Sequence, residues 1–166
     1  DFSNSFIENI DFSNVSNMEG TKIENASGRG MVLLNANVSG ASFNNSELHS
    51  IDFYKASNLP KATYTTSSLM DSDFSGSFIE HIDFSNVTSM TDARFRGVSG
   101  SNMVVHNTTM SGSDFSLSTL NHVDFSGTTL IGKVDFTQAS LIAVSYTHLR
   151  AHETSLHLVC RLLLEK

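Results

Sequence analysis

The chain has 166 residues, with 17 acids against 10 bases and a formal net charge of −7. That balance argues against nucleic-acid and anionic-membrane binding and, where charge steers association, favours basic partners. Cys160 is the single cysteine, so no internal disulfide exists, and no apolar run reaches the roughly 18 residues that a membrane helix needs.

From the first residues the apolar positions recur every five. Phe2, Ile7 and Phe12 are followed, after one extra residue, by Met18, Ile23, Gly28, Leu33, Val38, Phe43, Leu48 and Phe53. A second extra residue precedes Leu59, Tyr64, Leu69, Phe74, Ile79 and Phe84. A third precedes Met90, Phe95, Gly100, Val105, Met110, Phe115, Leu120, Phe125 and Leu130, and a fourth precedes Phe136 and Leu141. Gly28 and Gly100 alone break the apolar rule. Two residues before almost every centre stands a small or β-branched residue, with Met31 and Met103 as exceptions. Helices repeat every 3.6 residues and strands every 2, so a beat of five requires a path that turns a corner once per unit.

Units such as Ser72-Asp73-Phe74-Ser75-Gly76 and Ser113-Asp114-Phe115-Ser116-Leu117 resemble those of the pentapeptide-repeat family, over residues 1 to about 143. The resemblance implies an all-β fold, a right-handed quadrilateral β-helix with four units to a square coil. The central residue and the small residue two before it point inward, and the other three positions face solvent.

Taking every fourth centre tests that geometry within the sequence. The third side reads Phe12, Leu33, Phe53, Phe74, Phe95, Phe115, Phe136, and the first reads Phe2, Ile23, Phe43, Tyr64, Phe84, Val105, Phe125. The second side (Ile7, Gly28, Leu48, Leu69, Met90, Met110, Leu130) and the fourth (Met18, Val38, Leu59, Ile79, Gly100, Leu120, Leu141) have no aromatic. Rings stacked at the strand spacing of about 4.8 Å explain the segregation, which predicts about seven coils in a rod of roughly 30 Å.

The chain is also duplicated at an offset of 72 residues: Phe6-Ile7-Glu8 matches Phe78-Ile79-Glu80, Ile10 to Val15 matches Ile82 to Val87, and both Gly/Met exceptions recur in register. Fourteen units and two extra residues put the copies half a coil out of phase, so each Gly/Met pair is expected to mark a bulge or corner on opposite sides of the rod.

After Ala143 the pattern fails. Leu149-Arg150-Ala151 does not read as a unit, and Leu156 to Lys166 reads as a short helix able to cap the stack. The segments Val144 to Thr154 and Leu158 to Lys166 resemble translated sequencing-adapter read-through, so residues 144–166 are set apart as a non-repeat tail. The chain opens at Asp1 inside a repeat, which reads as a fragment of a longer bacterial or secreted protein.

No catalytic or cofactor motif is present: there is no nucleophile elbow and no Gly-rich phosphate loop. His49, His81, His106 and His122 fall on outward positions of different coils, and His148, His152 and His157 mimic a helical metal site without a well-placed acidic third ligand. The candidate surface is the residue before each centre of the third side: Asp11, Val32, Asp52, Asp73, Arg94, Asp114, Asp135. Stacked carboxylates repel across a ladder, so such a stripe needs a reason. One is structural, with each Asp bonding the backbone of a turn and Arg94 relieving repulsion. The other is functional. Some members of the resembled family imitate B-form DNA and bind DNA gyrase and related topoisomerases, although residues 1–143 hold 15 acids and 7 bases, a net charge short of a phosphate backbone. The expectation is a non-enzymatic rod for protein binding, with gyrase inhibition or protection as the alternative.

Overall fold

A path that bends after every unit needs a residue tolerant of positive φ at each bend, and the backbone supplies one two residues after nearly every centre. Asn4, Asn9, Asn14, Gly20, Asn25, Gly30 and Asn35 hold this place in the first two coils, all with φ between 52° and 73°. Asn and Gly occupy the left-handed region at little cost, and the centre's carbonyl then accepts the N–H three residues on, as from Ala36 to Leu33 at 2.9 Å. The computed structural model describes residues 1–131, 134–145 and 150–152 in this way, as a solenoid of about seven turns with parallel ladders throughout.

The ladders run as expected from the four-sided count. On the second side β1 (Phe6–Glu8), β2 (Ser27–Arg29) and β3 (Glu47–His49) pair in that order, with Ile7, Gly28 and Leu48 aligned. The fourth side carries β4 (Ser99–Ser101), β5 (Thr119–Asn121) and β7 (Ser140–Ile142), aligned through Gly100, Leu120 and Leu141. Single bridges complete the other faces. Six-residue units are absorbed at the corners. At Leu59–Lys61 the extra residue becomes a 3-10 turn, with Asn58 rather than Lys61 taking the left-handed φ and Pro60 fixing the turn's start.

Inside, the aromatic columns form. Phe53, Phe74, Phe95, Phe115 and Phe136 stack with centroids 4.6–5.3 Å apart, and Phe43 and Tyr64 stack at 5.5 Å in the first column. The two columns also meet edge to face, as in Phe74 with Phe84 at 5.4 Å, an arrangement aromatic quadrupoles favour. Inward Ser and Thr are tolerated because each donates to a carbonyl: Ser77 to Phe53 at 3.0 Å, Ser113 to Met90 at 2.9 Å, Thr128 to Val105. Tyr64 is fully enclosed, its hydroxyl pushed far above its ordinary pKa by burial and donating to the Leu59 carbonyl.

Three expectations need correction. Gly28 and Gly100 make neither a bulge nor a corner; they sit in regular, in-register strands. Their φ of 144° and 157° brings the backbone so close to the coil below that a methyl carbon on Gly28 would lie 1.7 Å from the Ile7 carbonyl oxygen. Met31 and Met103 are buried, so the next inward position carries a long side chain where the glycine has none. Second, outward positions are not all exposed: Ser75 and Ser116 are buried, small residues overshadowed by Tyr54 and Arg96 in the same column. Third, the ladder passes residue 143. Ser145 bridges Asp124, and β8 (Arg150–His152) pairs in register with β6 (Thr129–Ile131). Pairing is made by main chain, so Arg150-Ala151 can join it outside the five-residue pattern. The helix expected over Leu156 to Lys166 lies outside the described residues, as do His148 and His157.

Candidate functional site

The third face is a ladder of residues each preceding an inward centre, and the bridges run Asp11, Val32, Asp52, Asp73, Arg94, Asp114, Asp135 without a break. All five aspartates thus stand in one row. The spacing of 20 or 21 residues between successive rungs, Val32 and Arg94 included, follows from four units per coil, with or without one extra residue.

Each carboxylate is already engaged. Oδ1 accepts the backbone N–H two residues on: Ser13 to Asp11 at 2.7 Å, and Tyr54 to Asp52, Ser75 to Asp73, Ser116 to Asp114 and Thr137 to Asp135, each at 2.8 Å. Asn17 and Asn37 make the same bond from equivalent positions on another face, as do Asp83 and Asp124 on the first. The bond turns the chain out of the strand at the start of the corner. Asp11 is exposed and the other four are half-buried, so the row is less open than the alternation of inward and outward positions implies. At Asp11, hydrogen bonds from the Ser13 hydroxyl and then its N–H hold the carboxyl below its ordinary pKa.

One base, Arg94, interrupts the row, and two others stand beside it. Arg94 Nη1 lies 3.8 Å from Asp73 Oδ2, Arg96 donates to Ser116 Oγ at 3.2 Å, and Lys55 Nζ sits 5.0 Å from the centre of the Tyr54 ring. A carboxylate ladder relieved at mid-height is cheaper to stack, and with Val32 and Arg94 in it the row is not a continuous anion.

A second polar cluster lies on the first face, where sequence reasoning placed only a solvated histidine. His106 Nε2 is 2.9 Å from Asp124 Oδ2, and Ser126 gives Asp124 Oδ1 both its N–H and its hydroxyl. Partial burial pushes the Asp124 carboxyl up, but the bonds from Ser126 and His106 outweigh it and the net shift is down. Asp124 precedes Phe125 by one residue, as each Asp of the row precedes its centre, so the shared pattern Asp-Phe-Ser was the signal. No group of three metal-ligating side chains occurs among the described residues.

Residues 104–138 match the family model of pentapeptide repeats, in eight copies. Over those residues the coil is built of pentapeptide repeats. Among solved structures, a trypsin-treated form of QnrB1, a plasmid-mediated fluoroquinolone resistance protein, is 18% identical, over 98% of this chain and 91% of that one, with a TM-score of 0.39. HetL, a pentapeptide repeat protein involved in heterocyst differentiation regulation from the cyanobacterium Nostoc sp. strain PCC 7120, is 12% identical over 87% and 90%, with a TM-score of 0.34. The pentapeptide repeat protein Rfr23 from the cyanobacterium Cyanothece 51142 is 9% identical over 89% and 88%, with a TM-score of 0.33. No curated protein is similar to the chain in sequence.

Proposed function

We propose that the chain is a non-enzymatic rod whose outer faces bind a protein partner with a basic surface, the acidic row of Asp11, Asp52, Asp73, Asp114 and Asp135 being one such face. The observation that carries this reading is the division of labour between positions. Inward side chains fill the interior as stacked columns, whereas chemical variety is confined to the outside, where the faces differ in charge. Such a body recognises by surface complementarity, for which charge supplies specificity and on-rate.

The alternative, imitation of DNA toward gyrase or a related topoisomerase, draws support from the unbroken alignment of the row. Arg94 within it, and Lys55 and Arg96 beside it, weigh against a phosphate-like field. One set of variants separates the two. Asn keeps the turn bond, as Asn17 and Asn37 do, so Asp52, Asp73, Asp114 and Asp135 changed together to Asn remove charge and leave the fold. A supercoiling assay in which the wild type inhibits gyrase and the variant does not supports imitation; no inhibition by the wild type excludes it. Partners that purify with the wild type and equally with the variant would remove the row from the binding surface.

A further inference from the structure

The 72-residue duplication records which surface positions the fold leaves free to drift. Exposed Asn17, Glu19, Lys22, Asn25 and Arg29 are answered in the second copy by Ser89, Thr91, Arg94, Gly97 and Ser101, all different. From Asp1 to Val15, however, the copies differ only at Asn4, answered by Gly76, and at Asn9, answered by His81. The retained positions include Phe6 and Phe78, whose rings are 72% and 57% exposed at a place that elsewhere carries mostly Ser, Thr, Asn or Asp. An exposed ring contributes nothing to the columns inside, so the fold does not explain its retention.

Both copies build the same surroundings for that ring. Phe6 pairs with Ser27 beside Gly28, and Phe78 bridges Ser99 beside Gly100. Glu8 and Glu80 follow two residues on, similarly exposed. Two side-chain atoms among the described residues are shut from solvent with no hydrogen-bond partner, His49 Nε2 and Asn121 Oδ1. These too are 72 residues apart, one coil beyond the glycine strand in each copy, in β3 and β5. Glu47 Oε1 is 4.0 Å from His49 Nε2, beyond hydrogen-bond reach. In the first copy Phe6, Glu8, Gly28, Arg29, Glu47 and His49 border a groove of about 300 Å³.

We propose that these are two copies of one docking site, and that the rod holds two molecules of the same protein partner. The inference rests on the protein-binding reading above and assigns that binding to a different surface from the acidic row. Each site offers an apolar ring, a carboxylate and a side-chain atom shut from solvent without a hydrogen-bond partner, His49 Nε2 in one and Asn121 Oδ1 in the other. The carboxylate common to the two sites, and Asn121 Oδ1 in the second, call for donors. The occupant is therefore a segment with an apolar side chain next to Lys or Arg, which also suits the net charge of −7. The second and fourth sides of a square coil face opposite ways, so the partners sit a half-turn apart, displaced along the axis by about 17 Å at the strand spacing. The sites differ in one respect. Arg29 already bonds Glu8 at 3.2 Å, whereas Glu80 accepts the Ser101 hydroxyl at 3.2 Å and has His81 Nε2 no nearer than 4.0 Å, so the site at Phe78 binds a cationic segment more tightly.

Random twelve-residue peptides displayed on phage, panned on the full chain, supply the probe, and calorimetry of the enriched peptide gives its stoichiometry. The expected peptides join an apolar residue to Lys or Arg and bind twice per chain, with the tighter site lost in Phe78→Ser, the weaker in Phe6→Ser and both in the double variant. Exposed rings leave these variants folded, which circular dichroism checks. Arg29→Ser should bring the weaker site to within about threefold of the tighter one. A single site, or binding unmoved by either Phe substitution but lost when the acidic row is changed to Asn, overturns the two-site inference and leaves the protein-binding reading standing. No enrichment over an unrelated control overturns both.

Discussion

Leu117 holds a φ of 59° at a corner where the chain elsewhere mostly places Asn or Gly, and it is 44% exposed. A branched residue there pays for the left-handed conformation, so Leu117→Asn should raise stability by about 0.5–1 kcal/mol in urea denaturation. Glycines separate in the same way. Gly20→Ala meets no atom and suffers only its positive φ, a loss of about 1 kcal/mol, whereas Gly28→Ala drives a methyl into the Ile7 carbonyl and should cost at least about 3 kcal/mol. Acid sensitivity follows from carboxyls that bind protons less readily folded than unfolded. For Asp11 and Asp124 the stabilisation is complete above the ordinary value of 3.8 and is lost as pH falls through their depressed values. Urea midpoints should be level from about pH 7 to 5 and fall below about pH 4, less steeply in Asp124→Asn.

At the scale of the coil, the column is the unit of stability. Phe74 stacks on Phe53 at 4.7 Å and on Phe95 at 5.0 Å and is wholly buried, so Phe74→Ala should cost about 3–5 kcal/mol, against less than about 1 for Ser75→Ala. Thermal melts of the two variants give that comparison, and equal losses would contradict the assignment of the column. Such columns were legible in the sequence because a period of five with four sides predicts which Phe meets which. The aspartate row was legible for the same reason. The turn residues were there to be read as well, in the Asn and Gly two places after most centres, but a reading tuned to apolar spacing passes over polar ones. The burial of Ser75 and the partner of His106 were not legible, since both depend on how far side chains of the adjoining coil reach. The glycines misled because a missing side chain signals a kink as readily as a close approach of two backbones.

Over the whole molecule, the strands and bridges among the described residues pair in parallel between adjacent coils. Stability is then close to a sum of coil terms and neighbour terms. Removing residues 54–74 joins Phe53 to Ser75 and deletes four centres, one full circuit, without changing which side any remaining residue occupies. The shortened chain should keep the same far-ultraviolet spectrum per residue and melt cooperatively, and failure to fold would show that some coil depends on more than its neighbours.

That construction turns chain length into an adjustable gauge. Cutting or splicing one circuit between Phe6 and Phe78 alters their axial separation by about 4.8 Å while preserving their bearing around the axis. A rod of this kind sets the spacing of whatever it holds in discrete steps, and evolution, or an engineer, can reset that spacing by copying a circuit without redesigning either end.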